Sequence, residues 1–340
     1  MNSNWALDVL FSGPNGQPSE LCRYTFPIEG DVRLETPVSI LVDDLFFEFS
    51  ASDQILSKVS VTFPVSTPKR LSTDEDKHQK PCDGLWIHEP RASELEDVTL
   101  QVASGISLLT HTSVDVLFEA RKIEWIRESG GVRGLAGTQI DLGGRDRRPE
   151  PSTVLPLNIL ARSVITACIF KAHNPLHTFF KRGAADVNAH RYIEAFYNFF
   201  FFMEFEFGNG KSGQPQIIRE FMKADSLLAS ITKVLREKVF MPMVSREFAQ
   251  KMEFALPEAV LTYLVKTRGN LHHPNKKRRG NWHPERQRQF GDQAIFLYLV
   301  CLEIAMRTYM VQAMSPEVER GCKKAARCSR LAKPIRVVTR

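Results

Sequence analysis

From residue 157 onward, apolar side chains recur at spacings of three and four through five long runs, 157–172, 187–207, 216–239, 246–267 and 285–314. That is the repeat of one helix face, and helices of this length can hide their apolar stripes only against one another. The expected structure is an α-helical bundle over 157–314. Pro175, the glycines between 208 and 213, Pro242 and the stretch 274–284 fall between the runs and punctuate them. The last two helices pack antiparallel if the chain reverses between Thr267 and Glu285.

The residues before this region have a different grain. Segments 38–49 and 55–65 are rich in Val, Ile, Phe and Thr and read as strands. Segment 93–109 reads as a helix with Ser93 as its N-cap and Glu96 completing a capping box. Strand character returns over 114–126. Between them, residues 67–84 form a polar loop. The stretch 131–156, with its LGGRDRRPEP, lacks apolar periodicity and reads as a linker. The expected fold class is α+β: a mixed α/β domain at 1–130, a linker at 131–156, a helical domain at 157–314 and a loosely ordered basic tail at 315–340.

Composition excludes several classes. Of 340 residues, 43% are hydrophobic and 25% charged, which suits a chain that buries a core rather than a disordered or rod-like one. The N-terminus has no cationic segment leading into an apolar run, so no secretory signal is expected. Segments 196–207 and 295–306 are apolar but short and interrupted by Glu204, Glu206 and Glu303, so no membrane span is expected either. The cysteines at 22, 82, 168, 301, 322 and 328 form no CxxC pair. Neither a zinc site nor a disulfide framework follows, and free thiols fit the reducing cytoplasm. No GxxxxGK[ST], HExxH or GxSxG motif is present, and no cofactor is expected.

Charge is divided unevenly. Residues 1–150 carry 15 Lys/Arg against 24 Asp/Glu, and the rest of the chain carries 30 against 15. A basic half of this kind suits a polyanion such as RNA, while the acidic half suits a protein partner or a ligand trigger.

The most chemical stretch is the reversal itself, LVKTRGNLHHPNKKRRGNWHPERQRQFG. It holds His272, His273 and His283, three of the nine histidines, and eight Lys/Arg between Lys266 and Arg288 with Glu285 as the one acid. A helix running into Arg268, with His273 five residues on, then a basic loop and another long helix, resembles the HEPN superfamily. Those proteins are helical bundles, many of them RNases marked by an Arg-x4–6-His motif between their last two helices. The resemblance covers roughly residues 156–314. In this chain Gly269 follows the Arg where the family often has Asn, Asp or His, and Asn270 comes next.

The resemblance implies a HEPN-like domain acting as a metal-independent endoribonuclease of the toxin or anti-phage defence type. Its site residues are Arg268, His273, Asn270 and His272, supplied by both protomers of a homodimer. The residue chemistry agrees. An imidazole can move a proton at neutral pH. A guanidinium matches the non-bridging oxygens of a phosphate. Lys276, Lys277, Arg278 and Arg279 suit the RNA backbone, and His283 suits a second acid or base. Trp282 either stacks on a base or packs beneath the loop. Glu204 and Glu206 either salt-bridge basic residues of the last helices or position the Arg. Phe199–Phe202 read as core or dimer interface. Pro175 interrupts the His173/His177 pair, which leaves those two to a loop or cap. The alternative function is a non-catalytic module that binds RNA, a nucleotide or a partner through the same basic loop.

Overall fold

The computed structural model describes residues 20–65, 91–112, 114–126, 132–137, 153–171, 175–272, 283 and 285–331. They form two units. The first comprises residues 1–106, 114–173 and 313–340, and the second 107–113 with 174–312.

The first unit is built on an antiparallel sheet. Its strands are β1 (Glu20–Gly30), β2 (Val32–Arg33), β3 (Val38–Val42), β4 (Leu45–Ser52), β5 (Ile55–Val65), β6 (Val114–Val116), β7 (Lys122–Ile126), β8 (Val132–Gly137) and β9 (Thr153–Val154). The main order is β3-β4-β5-β1-β7-β8, with β6 on the end of β1 and the short β9 running parallel to β2. Alternation sets the faces. Cys22, Tyr24 and Phe26 of β1, with Val59, Val61 and Phe63 of β5, point into the core. Arg23 and Thr25 point the other way, where Arg23 bonds Thr62 and Glu48 at 3.0 Å each. Three helices belong to this unit: α1 (Ala92–Thr110), α2 (Leu157–Phe170) and α10 (Pro316–Leu331). Leu95, Val98 and Val102 of α1 and Leu160 and Val164 of α2 share the core with the sheet.

Several expectations are corrected here. The single strand at 38–49 is a hairpin, because Asp43 takes a left-handed φ of 51° and turns the chain between β3 and β4. Ser93 is not a cap: α1 already runs at Ala92, and the Leu95 N–H bonds the Arg91 carbonyl. The strand at 114–126 is two strands around a 3-10 turn at Phe118–Ala120. Within 131–156, β8 pairs with β7 and β9 with β2. Within the tail, residues 316–331 form α10, whose Val318 is fully buried and whose Gly321 lets the helix close on α2. A Cβ at Gly321 would stand 2.7 Å from Cγ2 of Ile165. Thus α2, at the start of the expected helical domain, and α10, in the expected tail, belong to the first unit.

A charge cluster on this unit makes its stability pH-dependent. Arg91 donates to Glu94 at 2.7 Å and to Asp44 at 2.6 Å, and Lys171 donates to Glu94 at 3.0 Å. These bonds, the one from Arg91 foremost, hold the Glu94 carboxyl down at about 2 from its ordinary 4.5. A depressed carboxyl stabilises the fold above its unfolded value and loses that contribution as pH falls through the folded one. The expected result is a melting temperature that drops more steeply between about pH 4.5 and 2 in the parent chain than in Glu94→Gln.

The second unit holds α3 (Pro175–Asn188), α4 (Tyr192–Phe207), α5 (Gln214–Met222), α6 (Asp225–Glu237), α7 (Arg246–Glu253), α8 (Pro257–His272) and α9 (Gly291–Ala313). Helix α3 was not expected. Pro175 stands at its first position, where a missing N–H costs nothing. His177 therefore lies inside a helix, its ring 5.9 Å from that of Tyr309, and not in a loop or cap. The run 216–239 divides into α5 and α6 at Lys223–Ala224, whose N–H groups bond back three residues to close the first helix. The run 246–267 divides at Pro257, which cannot extend a helix from the preceding residues. The last helix begins at Gly291, after a 3-10 turn at Gln287–Phe290, and not at Glu285.

Aromatic packing dominates this unit. Phe196, Phe199, Phe200 and Phe202 of α4 are all fully buried. Asp186 ties the α3–α4 turn by accepting from Arg191 Nε and Asn198 Nδ2 at 2.8 Å each. Among the described residues, 287–313 is one run long and apolar enough by length and composition to cross a membrane. Its Phe296, Leu297, Val300 and Cys301 are fully buried, as in a core helix.

Candidate functional site

Helix α8 carries Arg268 and Gly269 one turn before its end, so the expected motif residue lies within a helix and not beyond it. Position 268 faces α4. There an Nη2 of Arg268 pairs with Oε1 of Glu204 at 3.2 Å, with the two side chains only 14% and 18% exposed. The guanidinium lies 5.7 Å from the centre of the Phe200 ring, within the range of a cation–π contact. Its Nε is buried and has no hydrogen-bond partner among the described residues.

The electrostatics follow from this enclosure. Burial pushes the Glu204 carboxyl above its ordinary range, and the nearby Arg268 offsets part of that rise. Tyr197, one turn from Phe200 on α4, is likewise raised by burial and opposed by Arg268. Glu206, exposed two residues further on, is raised by partial burial and lies outside this enclosure. Arg268 thus sits among a carboxylate, a phenol and a ring, with one donor unused. Such a guanidinium has a fixed plane and a buried donor with no partner among the described residues, and a fork of this kind matches an oxyanion.

The other expected residues divide into three groups. Asn270 is exposed on the turn after Arg268. His272 ends α8. His283 is exposed, and its Nδ1 accepts the Glu285 N–H at 3.3 Å, which fits a turn-forming role ahead of α9. His273, Lys276, Lys277, Arg278, Arg279 and Trp282 lie outside the described residues. Of the two expectations for Glu204, the ion pair to Arg268 is present, and it is also the geometry by which Glu204 orients that side chain. Phe199, Phe200 and Phe202 are core, whereas Phe201 is partly exposed.

Two neighbours of Arg268 were not expected from the sequence. Phe200 is one of four consecutive phenylalanines, and nothing in that run marks which one faces an arginine. Gln214 opens α5 and lies against α8: a Cβ built on Gly269 would overlap its Nε2. The one signal available was Gly269 itself, a helix-weakening residue directly after the Arg where the family often has Asn, Asp or His. Among the described residues no group of three or more His, Cys, Asp or Glu is placed to hold a metal ion.

No family model matches this chain, and neither a curated protein nor a solved structure does.

Proposed function

We propose that the second unit is a HEPN-like, metal-independent endoribonuclease of the toxin or anti-phage defence type, acting in the cytoplasm as a homodimer on RNA. The observation that carries this reading is Arg268: half-buried, oriented by Glu204, with an unused Nε, and placed just before a segment rich in Lys and Arg. In the proposed reaction the 2′-oxygen of a ribose attacks the adjacent phosphorus and the 5′-oxygen departs. His273 of one protomer takes the 2′-proton, and the partner copy returns a proton to the leaving oxygen. Arg268 neutralises the charge that builds on the non-bridging oxygens. Asn270 and His272 flank the pair, while Lys276, Lys277, Arg278, Arg279, Trp282 and His283 bind the flanking RNA. The first unit, acidic in its first 150 residues, is the proposed seat of a protein or ligand trigger.

A second reading has a specific observation behind it. Arg268 already spends one arm of its fork on Glu204, as a purely structural clamp would. In that case the fold is a non-catalytic module for RNA, a nucleotide or a partner. The two readings separate when the full chain is incubated with tRNA and total RNA in EDTA. Cleavage leaving 2′,3′-cyclic phosphate ends, abolished by His273→Ala, supports the nuclease. Binding without cleavage, weakened only by neutralising Lys276 to Arg279, supports the module.

A further inference from the structure

The glycine after Arg268 is explained by another helix. Gly269 lies in a regular helical turn, so no unusual backbone angle requires it, and a glycine there weakens the helix relative to alanine. What the position needs is space. The volume above its Cα is filled by the carboxamide of Gln214, whose Nε2 a Cβ would overlap. Gln214 is the first residue of α5, and it is followed by Pro215, which fixes the helix start and with it the origin of the side chain. Gln214 therefore packs on α8 at the residue next to Arg268.

The chemistry of the pair is complementary. Arg268 offers only donors, and its buried Nε has no partner among the described residues. Gln214 offers two donors and an acceptor without bringing a charge that would repel a phosphate. A ribonucleotide displays both kinds of group side by side: the phosphate oxygens accept, and the 2′-hydroxyl donates as well as accepts.

We propose that Gln214 is a specificity-determining residue of the Arg268 site, its carbonyl accepting from the ribose 2′-hydroxyl and its amide donating to the adjoining phosphate. This rests on the reading of the second unit as acting on RNA. Gly269 serves it by leaving the carboxamide room over the helix backbone. A Gln in this place makes the site prefer RNA to DNA before any bond is broken.

The test uses the full chain carrying His273→Ala, so that RNA survives, and short single strands of one sequence as RNA and as DNA. Gln214→Met keeps the length and packing of the side chain and removes its hydrogen bonds. It is expected to lower the RNA:DNA affinity ratio about tenfold while leaving the melting temperature unchanged. Gly269→Ala is expected to lower the same ratio although Gln214 is retained. An unaltered ratio in Gln214→Met, or equal loss of affinity for both strands, overturns the proposal. Those results would leave the nuclease reading standing if Arg268→Ala, in the chain that keeps His273, still abolishes cleavage. A parent chain that binds no RNA would instead overturn both.

Discussion

Arg268→Ala is expected to lower RNA cleavage by at least about 100-fold, the usual cost of removing one donor from a developing oxyanion. It is also expected to destabilise the second unit by about 1–3 kcal/mol, because Glu204 is left enclosed without its cation. Burial already raises the Glu204 carboxyl, and with Arg268 gone it takes up a proton more readily still. These two losses have different remedies. Glu204→Gln added to Arg268→Ala removes the stranded charge, so the double variant should regain most of the melting temperature and none of the cleavage. Melting curves and single-turnover cleavage on the same preparations check this. If cleavage returned together with stability, Arg268 would be a clamp and nothing more.

Phe199→Ala is expected to have the largest effect on stability alone. Phe199 is fully buried, with its ring 6.0 Å from that of Phe180 and 5.8 Å from that of Tyr298. Truncating such a ring costs about 3–5 kcal/mol, which lowers the melting temperature on the order of ten degrees. Gly183 gives the effect a second signature. A Cβ there would lie 2.5 Å from Phe199 Cε1, so Gly183→Ala in the parent chain overpacks the α3–α4 contact. With the ring removed, the same methyl enters a vacant space. The double-mutant cycle should therefore show a favourable coupling of at least about 1 kcal/mol.

What could be read in advance follows from how local each determinant is. Most helices of the second unit were legible because their apolar spacing is carried by neighbours on the chain, whereas α3 was missed because Pro175 read as a break and not as a first helical position. Their breaks were harder. Pro257 looked like one more residue of a long run, and only packing shows that α7 and α8 have separate apolar faces. The hairpin at Asp43 was hidden because Val, Ile and Phe continue on both sides of a two-residue turn. Helix α10 was hidden for the opposite reason: seven of its 16 residues are Lys, Arg or Glu, and the residues that dock it are as small as Gly321. At the site, Arg268 and its link to Glu204 could be weighed from charge alone. Gln214 could not, since its importance depends on a glycine 55 positions further along the chain.

The division of the chain also has a consequence for how it is made. The sheet and α2 of the first unit precede the second unit along the chain, and α10 of the first unit follows it. At roughly 5–20 residues per second, a ribosome needs on the order of ten seconds to pass through 174–312. During that interval the nascent sheet and α2 wait with the Ile165 surface uncovered. Because α10 follows the second unit along the chain, the first unit is completed only after the second has been made, and a product ending before residue 316 would carry that apolar seam open.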